Sequence, residues 1–313
     1  MSVLFARLCR WYIQRSPLRR GKLLLTRLYR GLLGDSAFVD QMASGMRLEI
    51  RAADHVSHEM FLRQTWEPPL TELLQAVLRP GDTFLDLGAN LGYYSLLASP
   101  LVGTTGRVIA FEPLPAAADW FRRNLALNGY SNVELVEAAV GEQPGETTLS
   151  TFAGDALATA SRFLAWREQA EQRVTVPMTT LNAFGLQRGL SGPMVVKMDV
   201  EGSEWNVVRG ALGFLRTHRP LLVFEILPAL AEAAGWQPEE LLTALRDVAG
   251  YDFELVTTAG LRGLDPGRDI PDAATQEHTD VLAHCPDAVW HRERLMGLLE
   301  DRDDQVPPTR LPH

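Results

Sequence analysis

The chain has little cysteine. Of its 313 residues only Cys9 and Cys285 are cysteines, and they lie near opposite ends. That excludes a disulfide scaffold and fits a reducing, cytoplasmic setting. No Cys/His cluster has the spacing of a zinc site. No uninterrupted apolar run approaches the ~18 residues that a membrane helix needs. The N-terminal segment also lacks the short apolar core and cleavage site of a secretory signal. Acidic residues are missing from the first 30 positions, which carry eight Lys or Arg. Taking that +8 from the net −9 leaves −17 on the remainder. An acidic body argues against nucleic acid as a substrate.

What is present centres on residues 82–92, Asp-Thr-Phe-Leu-Asp-Leu-Gly-Ala-Asn-Leu-Gly. Thr83 to Leu87 reads as a short apolar strand, punctuated at its start by Pro80-Gly81, and Tyr93 to Leu101 reads as a helix. A strand, a glycine turn and a helix N-terminus make a cofactor cradle. Gly88 would let backbone approach a ligand, and Gly92 would supply a turn or close helix packing. Counted from Gly88, the later glycine slots of a dinucleotide fingerprint hold Asn90 and Tyr93, so that pattern is absent. Asp86, at the strand end, would repel a pyrophosphate. It suits a ligand carrying an ammonium and a sulfonium, and S-adenosylmethionine (SAM) has both. At ~4 Å and an effective dielectric of ~20 such a pair attracts by about 4 kcal/mol before desolvation. Glu112 follows a second strand, Arg107 to Phe111. An acid there can accept ribose hydroxyls in a SAM site or an NAD site, so it marks a nucleoside without choosing between them.

Four regions follow. Residues 1–36 form a basic helical arm broken by Pro17. Its composition is that of a membrane-surface or partner-binding helix, or of an arm whose leucines pack on the domain while its arginines stay in water. Residues 37–80 read as a hairpin around Ser44-Gly45 and a helical lid with Pro68-Pro69 inside, where His55, His58 and Glu67 are the polar candidates. Residues 81–287 alternate strand and helix, with strands at 82–87, 107–112, 133–137, 193–198, 221–226, 251–257 and 279–284. Within them, 142–185 is an insertion with two strand-like stretches flanking a polar segment, 154–172. Residues 288–313 read as a closing helix, Ala288 to Asp301, and a Pro-rich disordered tail. The pattern predicts a three-layer α/β domain: a mostly parallel seven-stranded sheet, its last two strands a hairpin, with helices on both faces. Ligands in such sheets bind at the carboxyl ends of strands, where Asp86, Glu112 and Asp199 all fall.

Lys197, Asp199, Glu201 and Glu204 lie within one short stretch that ends a strand and turns at Gly202 into a helix carrying Trp205, Val208, Ala211, Leu212 and Leu215 inward. Lys197 and Asp199 share a face of the strand. Transfer of a methyl to an alcohol needs somewhere for the acceptor proton to go. Asp199 can orient the acceptor or take its proton, and Lys197 can stabilise a developing alkoxide or neutralise Asp199. Glu201, Glu204 and Glu225 can add a base. A hard divalent ion would suit such oxygens, but no spacing demands one, so no metal ligand is assigned.

The strings Phe84-Leu-Asp-Leu-Gly-Ala-Asn-Leu-Gly-Tyr-Tyr-Ser95, Phe111-Glu-Pro113, Asn124 with Asn128-Gly129, Thr180-Leu181, Lys197-Met-Asp-Val-Glu-Gly-Ser-Glu204 and Phe224-Glu-Ile226 resemble the FkbM-type methyltransferases, a branch of the class I SAM-dependent enzymes. The resemblance spans roughly residues 65 to 230. It implies a seven-stranded Rossmann-like SAM-dependent methyltransferase fold and methyl transfer, usually to oxygen of a glycan or secondary metabolite, in some relatives to nitrogen of a peptide side chain. By motif position it implies that Asp86, Gly88, Asn90 and Gly92 hold the methionine end of SAM, with Ala89 and Tyr93 beside them. Glu112 and Pro113 would lie at the ribose, and Ala139 and Val140, after the third strand, where such folds hold the adenine. Asp199 would face the transferred methyl, and the residues' own chemistry adds Lys197 and Glu201 as catalytic candidates beside it. After Thr180-Leu181 the family commonly has an acid, where this chain has Asn182.

Two rival readings share parts of this pattern. A nicotinamide-dependent oxidoreductase would use the ribose acid but lacks the glycine spacing, and a non-catalytic scaffold docked through the basic arm would not need the Lys197–Glu204 cluster. Thermal shift separates them. S-adenosylhomocysteine at ~100 times its dissociation constant is expected to stabilise the protein by about 2.7 kcal/mol, with no shift from NAD. A shift with NAD alone would reverse the cofactor assignment.

Overall fold

The computed structural model describes residues 2–15, 22–34, 36–152, 170–275 and 277–299. Two helices open the chain, α1 (Ser2–Arg15) and α2 (Lys22–Leu33), packed on one another. A hairpin follows, β1 (Ala37–Gln41) and β2 (Arg47–Arg51), then α3 (His55–Arg63) and α4 (Pro68–Val77). Arg7 and Arg10 of α1 both pair with Asp40 of β1, and the Gln14 amide donates to the Leu62 carbonyl at 2.7 Å. The arm is therefore fastened to the domain by its inner face, where Ala6 and Cys9 are buried.

The alternating core begins with β3 (Thr83–Leu87), α5 (Tyr93–Val102), β4 (Arg107–Phe111), α6 (Pro115–Asn128) and β5 (Val133–Val136). Next come β6 (Ala139–Val140), β7 (Gly145–Phe152) and β8 (Ala170–Thr179), which form a small separate sheet in the order β6-β8-β7. The two strand-like stretches of the insertion are thus an antiparallel pair, Gly145 opposite Met178. Most of the polar segment between them lies outside the described residues. The chain continues through α7 (Leu181–Arg188), β9 (Met194–Met198), α8 (Glu204–Arg209), α9 (Leu212–His218), β10 (Leu221–Ile226), α10 (Pro228–Ala234) and α11 (Pro238–Ala249). It closes with β11 (Asp252–Thr257), β12 (Gly260–Gly263), α12 (Pro266–Asp269), β13 (Thr279–His284) and α13 (Val289–Leu295).

The main sheet runs β12-β11-β13-β10-β9-β3-β4-β5. Strands β10, β9, β3, β4 and β5 are parallel, while β13, β11 and β12 run antiparallel to their neighbours. All seven expected strands are present, and β12 is an eighth at the edge. It was missed because Gly-Leu-Arg-Gly has no alternation to read. β11 makes its tight hairpin with β12, and β13 inserts between β10 and β11. The last two expected strands are therefore antiparallel neighbours rather than a hairpin. Strand order reverses between β3 and β9, the switch point where such sheets open a ligand crevice.

Alternate side chains divide the core. Phe84, Val108, Val195 and Val223 face α4, α5 and α6. Leu85, Ile109, Val196 and Leu222 face α7, α8, α9 and α11. Side chains of α6 also close the open edge of the hairpin. Asn124 Oδ1 accepts the Glu49 N–H, and Asn128 Oδ1 accepts the Arg47 N–H, both at 2.8 Å. Asn124 Nδ2 donates to the Leu91 carbonyl, so one side chain spans the hairpin and the glycine loop.

Two helical expectations need correction. The helix after Ser203 is broken into α8 and α9, and Leu212 is 37% exposed rather than inward. At the break, a Cβ on Gly210 would lie 2.1 Å from the Gly141 carbonyl oxygen. The side-chain oxygen of Asn182 accepts the Phe214 N–H at 2.7 Å, satisfying a free donor in the first turn of α9. The closing helix ends at Leu295, and Gly297 turns the chain at φ +82°. Residues 306–313 lie outside the described residues. Gly210→Ala is expected to cost about 1–3 kcal/mol, since backbone sets the clash. Thermal denaturation of the variant checks this, and an unchanged midpoint would refute the packing account.

Candidate active site

The glycine loop is shaped by its neighbours before any ligand is considered. Gly88 sits at φ +84°, and a Cβ there would fall 1.9 Å from the Asp199 carbonyl oxygen. Its missing side chain lets the ends of β3 and β9 touch. The Gly88 and Ala89 N–H groups both donate to the Phe111 carbonyl, at 3.0 and 2.9 Å. Asn90 adopts φ +50°, and its N–H donates to Glu112 Oε2 at 2.8 Å. The other oxygen, Oε1, accepts the Leu114 N–H at 2.8 Å. Glu112 therefore ties the glycine loop to the tip of β4, and each of its oxygens keeps a free lone pair for a hydroxyl donor. At Gly92 a Cβ would strike the Phe121 ring at 2.2 Å, so this glycine serves the packing of α5 on α6.

A cleft of about 770 Å³, its open mouth included, lies over this loop. Gly88, Asn90, Glu112, Pro113, Ala139, Val140, Asp199 and Glu201 all line it. Leu114, Leu149 and Met178 add an apolar wall. Asp86, Ala89, Gly92 and Tyr93 are not on its lining. Asp86 and Ala89 are buried beneath the loop, and the Tyr93 hydroxyl is engaged by Thr65 and Thr71, at 3.0 and 3.2 Å. At this loop, among the described residues, the buried oxygens Asp86 Oδ1 and Asn90 Oδ1 have no hydrogen-bond partner. Buried acceptors left unpaired call for a donor. An ammonium-bearing ligand end meets that need, while Glu112 offers acceptors for a diol and the apolar wall a surface for a flat base. These residues fit SAM.

On the opposite side of Asp199 a second cavity, of about 240 Å³, opens toward the lid. Its polar wall crosses several strands. Lys197 lines it from β9, with Asp86 its register partner on β3 behind the wall, and Glu225 and Asp280 line it as partners on β10 and β13. Lys197 Nζ donates to Asp199 Oδ2 at 2.9 Å and stands 4.9 Å from the Tyr94 ring centre. Burial alone would lower the Lys197 pKa, but Asp199, Asp86 and Glu67 together hold it above the ordinary value. Lys197 therefore stays an ammonium. Glu225 and Asp280 are both pushed up, mainly by burial.

Glu67 reaches this cavity from the lid. It sits at φ +38° just before Pro68, a left-handed conformation that costs a bulky residue energy. Enclosure and the Asp199 charge push its carboxyl up to about 7, against the pull of Lys197 and the Tyr94 hydrogen bond. Tyr94 donates its hydroxyl to Glu67 Oε2. Sequence reading named Glu67 only as a lid residue and passed over Tyr94 and Asp280. An acid inside the buried strand Thr279–His284 was the available signal for Asp280; nothing local marks Glu67.

The remaining acids hold the turn after β9. Glu201 adopts φ +53° on the wall of the larger cleft. Glu204 Oε1 accepts the Val200 and Gly202 N–H groups at 3.1 and 3.3 Å, and Trp236 Nε1 donates to the Gly202 carbonyl at 3.0 Å. Asn182, the departure from the family pattern, is occupied at the start of α9.

The family described as the methyltransferase FkbM domain matches residues 86–253, more than half of the sequence. The chain belongs to that family. The resemblance read from the motifs is confirmed, and the sheet is the Rossmann-like sheet of the SAM-dependent methyltransferases. Curated relatives match shorter stretches. A protein-L-isoaspartate O-methyltransferase of Aeropyrum pernix is 45% identical over 64 residues, 20% of this chain and 24% of the relative. Methyltransferase 1 of Beauveria bassiana is 29% identical over 150 residues, 42% of this chain and 59% of the relative. The chain thus spans between about a quarter and three fifths of these relatives' lengths. Among solved structures, the FkbM methyltransferase from Methylobacillus flagellatus covers 74% of this chain and 53% of its own, at a TM-score of 0.41 and 16% identity.

Burial pushes the Glu112 carboxyl up to about 7, against its two backbone hydrogen bonds. A folded value above the ordinary one means that its stabilising contribution is full below about pH 4.5 and is lost as pH rises through about 7. Glu112→Gln removes that titration and leaves one acceptor oxygen for two N–H groups. Without cofactor, the stability gap between wild type and variant is expected to shrink from about pH 5 to about pH 8. Urea melts at the two pH values test this, and a gap that widens would contradict the assignment.

Proposed function

We propose that the protein transfers the methyl group of SAM to a hydroxyl of an acceptor bound in the smaller cavity. The observation that carries this reading is Asp199, which lines both cavities at once. A bound SAM supplies an electrophilic methyl on a sulfonium that leaves as a neutral thioether. Asp199, fixed by Lys197 Nζ, orients the acceptor oxygen toward that methyl. Glu67 takes the acceptor proton as the new C–O bond forms and the S–C bond breaks. Tyr94 keeps Glu67 Oε2 occupied, which directs the proton to Oε1. A group whose pKa lies near the working pH is best placed for this task. Tyr94 itself is held far above its ordinary value by burial and by Glu67, so it stays a donor.

The charge of the smaller cavity narrows the acceptor. Glu67, Asp199, Glu225 and Asp280 surround one ammonium. A carboxylate acceptor, of the kind the isoaspartate enzymes are named for, would find the ammonium of this cavity already paired with Asp199. A polyhydroxylated, uncharged acceptor such as a glycan or a secondary metabolite fits, since carboxylates accept from hydroxyl donors. The same acids favour a second reading, an amine of a peptide side chain methylated on nitrogen.

Glu67→Gln is expected to lower kcat by roughly 10²- to 10⁴-fold while S-adenosylhomocysteine affinity stays within about twofold of wild type. The wild-type rate should rise with pH through about 7, and that limb should vanish in the variant. S-adenosylhomocysteine release, measured against sugar, amine and carboxylate acceptors, reads both points. A Glu67→Gln protein with wild-type kcat would remove the base assignment, and turnover of carboxylates alone would remove the acceptor class.

A further inference from the structure

The arm leaves one feature unexplained by the methyl-transfer site. Helix α1 has two apolar faces. Ala6 and Cys9 are buried against the domain, with Arg7 and Arg10 committed to Asp40 beside them. On the opposite side Leu4, Leu8 and Trp11 are 65%, 58% and 55% exposed, at the spacing of one helical stripe. Helix α2, packed on α1, adds Leu28 and Leu32, 49% and 58% exposed. A buried inner face accounts for the fold of the arm; it does not account for five large apolar side chains in water.

We propose that α1 and α2 form a docking surface for an anionic lipid membrane. Charge selects this occupant. Residues 1–30 carry eight basic and no acidic side chains, while the rest of the chain is net −17. The Arg15 guanidinium lies 5.7 Å from the Trp11 ring centre at the end of the exposed stripe, and Arg27 is exposed on α2. Leucine and tryptophan beside arginine are the composition that sits at a headgroup boundary, with apolar groups below and guanidinium groups among the phosphates. The acidic body is repelled by the same surface, which sets the orientation: arm toward the lipid, catalytic domain away. No described helix is long and apolar enough to cross a membrane, so the contact is peripheral.

The test uses the full chain with unilamellar vesicles, either phosphatidylcholine alone or phosphatidylcholine with one part in four of phosphatidylglycerol. Co-sedimentation is expected with the anionic vesicles, at least about tenfold weaker with the neutral ones and in high salt. A Leu4→Ser, Leu8→Ser, Trp11→Ser triple variant should lose at least about tenfold in binding while keeping its melting temperature, since the three side chains are exposed. Arg15→Gln with Arg27→Gln should weaken anionic binding and leave the apolar stripe in place. No sedimentation of wild type with the anionic vesicles would overturn the proposal, as would equal sedimentation of wild type and triple variant. So would a wild-type dimer in solution that the triple substitution makes monomeric, because a second copy would then be the occupant.

Discussion

One ammonium group holds the reaction centre together. Lys197 stands beside Asp86 across the β3–β9 junction, binds Asp199 two residues on, faces Tyr94, and draws down the carboxyl of Glu67. Around it four strands bring carboxyls to one face, where His278 Nδ1 also stands 3.1 Å from Glu225 Oε1. The chain contains two lysines, Lys22 and Lys197, against 28 arginines. Arginine is this sequence's usual cation, so lysine at 197 answers to geometry. A compact ammonium with three donors fits between a strand and a ring face; a planar fork needs room on both sides. Burying such a charge is costly, and the acids around it offset that cost.

Backbone strain falls in the same place. Among the described residues, five non-glycine positions have positive φ: Gln64, Glu67, Asn90, Glu201 and Arg219. Glu67, Asn90 and Glu201 line the two cavities. Each is locked by contacts that determine it from outside. Tyr94 holds Glu67, Glu112 holds Asn90, and Glu204 with Trp236 holds the turn that contains Glu201. Strain concentrated at a site and fixed by its surroundings is the mark of pre-organisation. It also explains why Glu112 and Glu204 are buried acids bonded to backbone: they shape the loops that a ligand then meets.

Much of this was readable from the sequence because the signals were local. Short apolar runs bounded by turn residues located the seven strands, and Gly88, Glu112 and the Lys197–Glu204 string located one edge of the sheet. What escaped is tertiary. The apolar spacing runs straight through Gly210, where the helix breaks beside the Gly141 carbonyl and the Asn182 N–H donates to the Gly210 carbonyl at 3.2 Å. Asn182 reads only as a departure from the family pattern until its oxygen is seen on the Phe214 amide. Glu67 precedes two prolines in a lid and gains its chemistry from β9 and α5, far away in sequence. The packing role read for Gly92 is met by Phe121, while the Thr65 and Thr71 partners of the Tyr93 hydroxyl lie too far off in sequence to be read.

The two asparagines of α6 carry a different consequence. A strand at the end of a sheet presents free amides and carbonyls that another chain can zip onto. On β2 the amides of Arg47 and Glu49 are already taken, by Asn128 and Asn124. Helix side chains imitate a neighbouring strand there and close the edge to intruders. The hairpin can therefore lie beside the catalytic domain without inviting runaway self-association, and a chain that is crowded at high concentration is spared one route to fibrils.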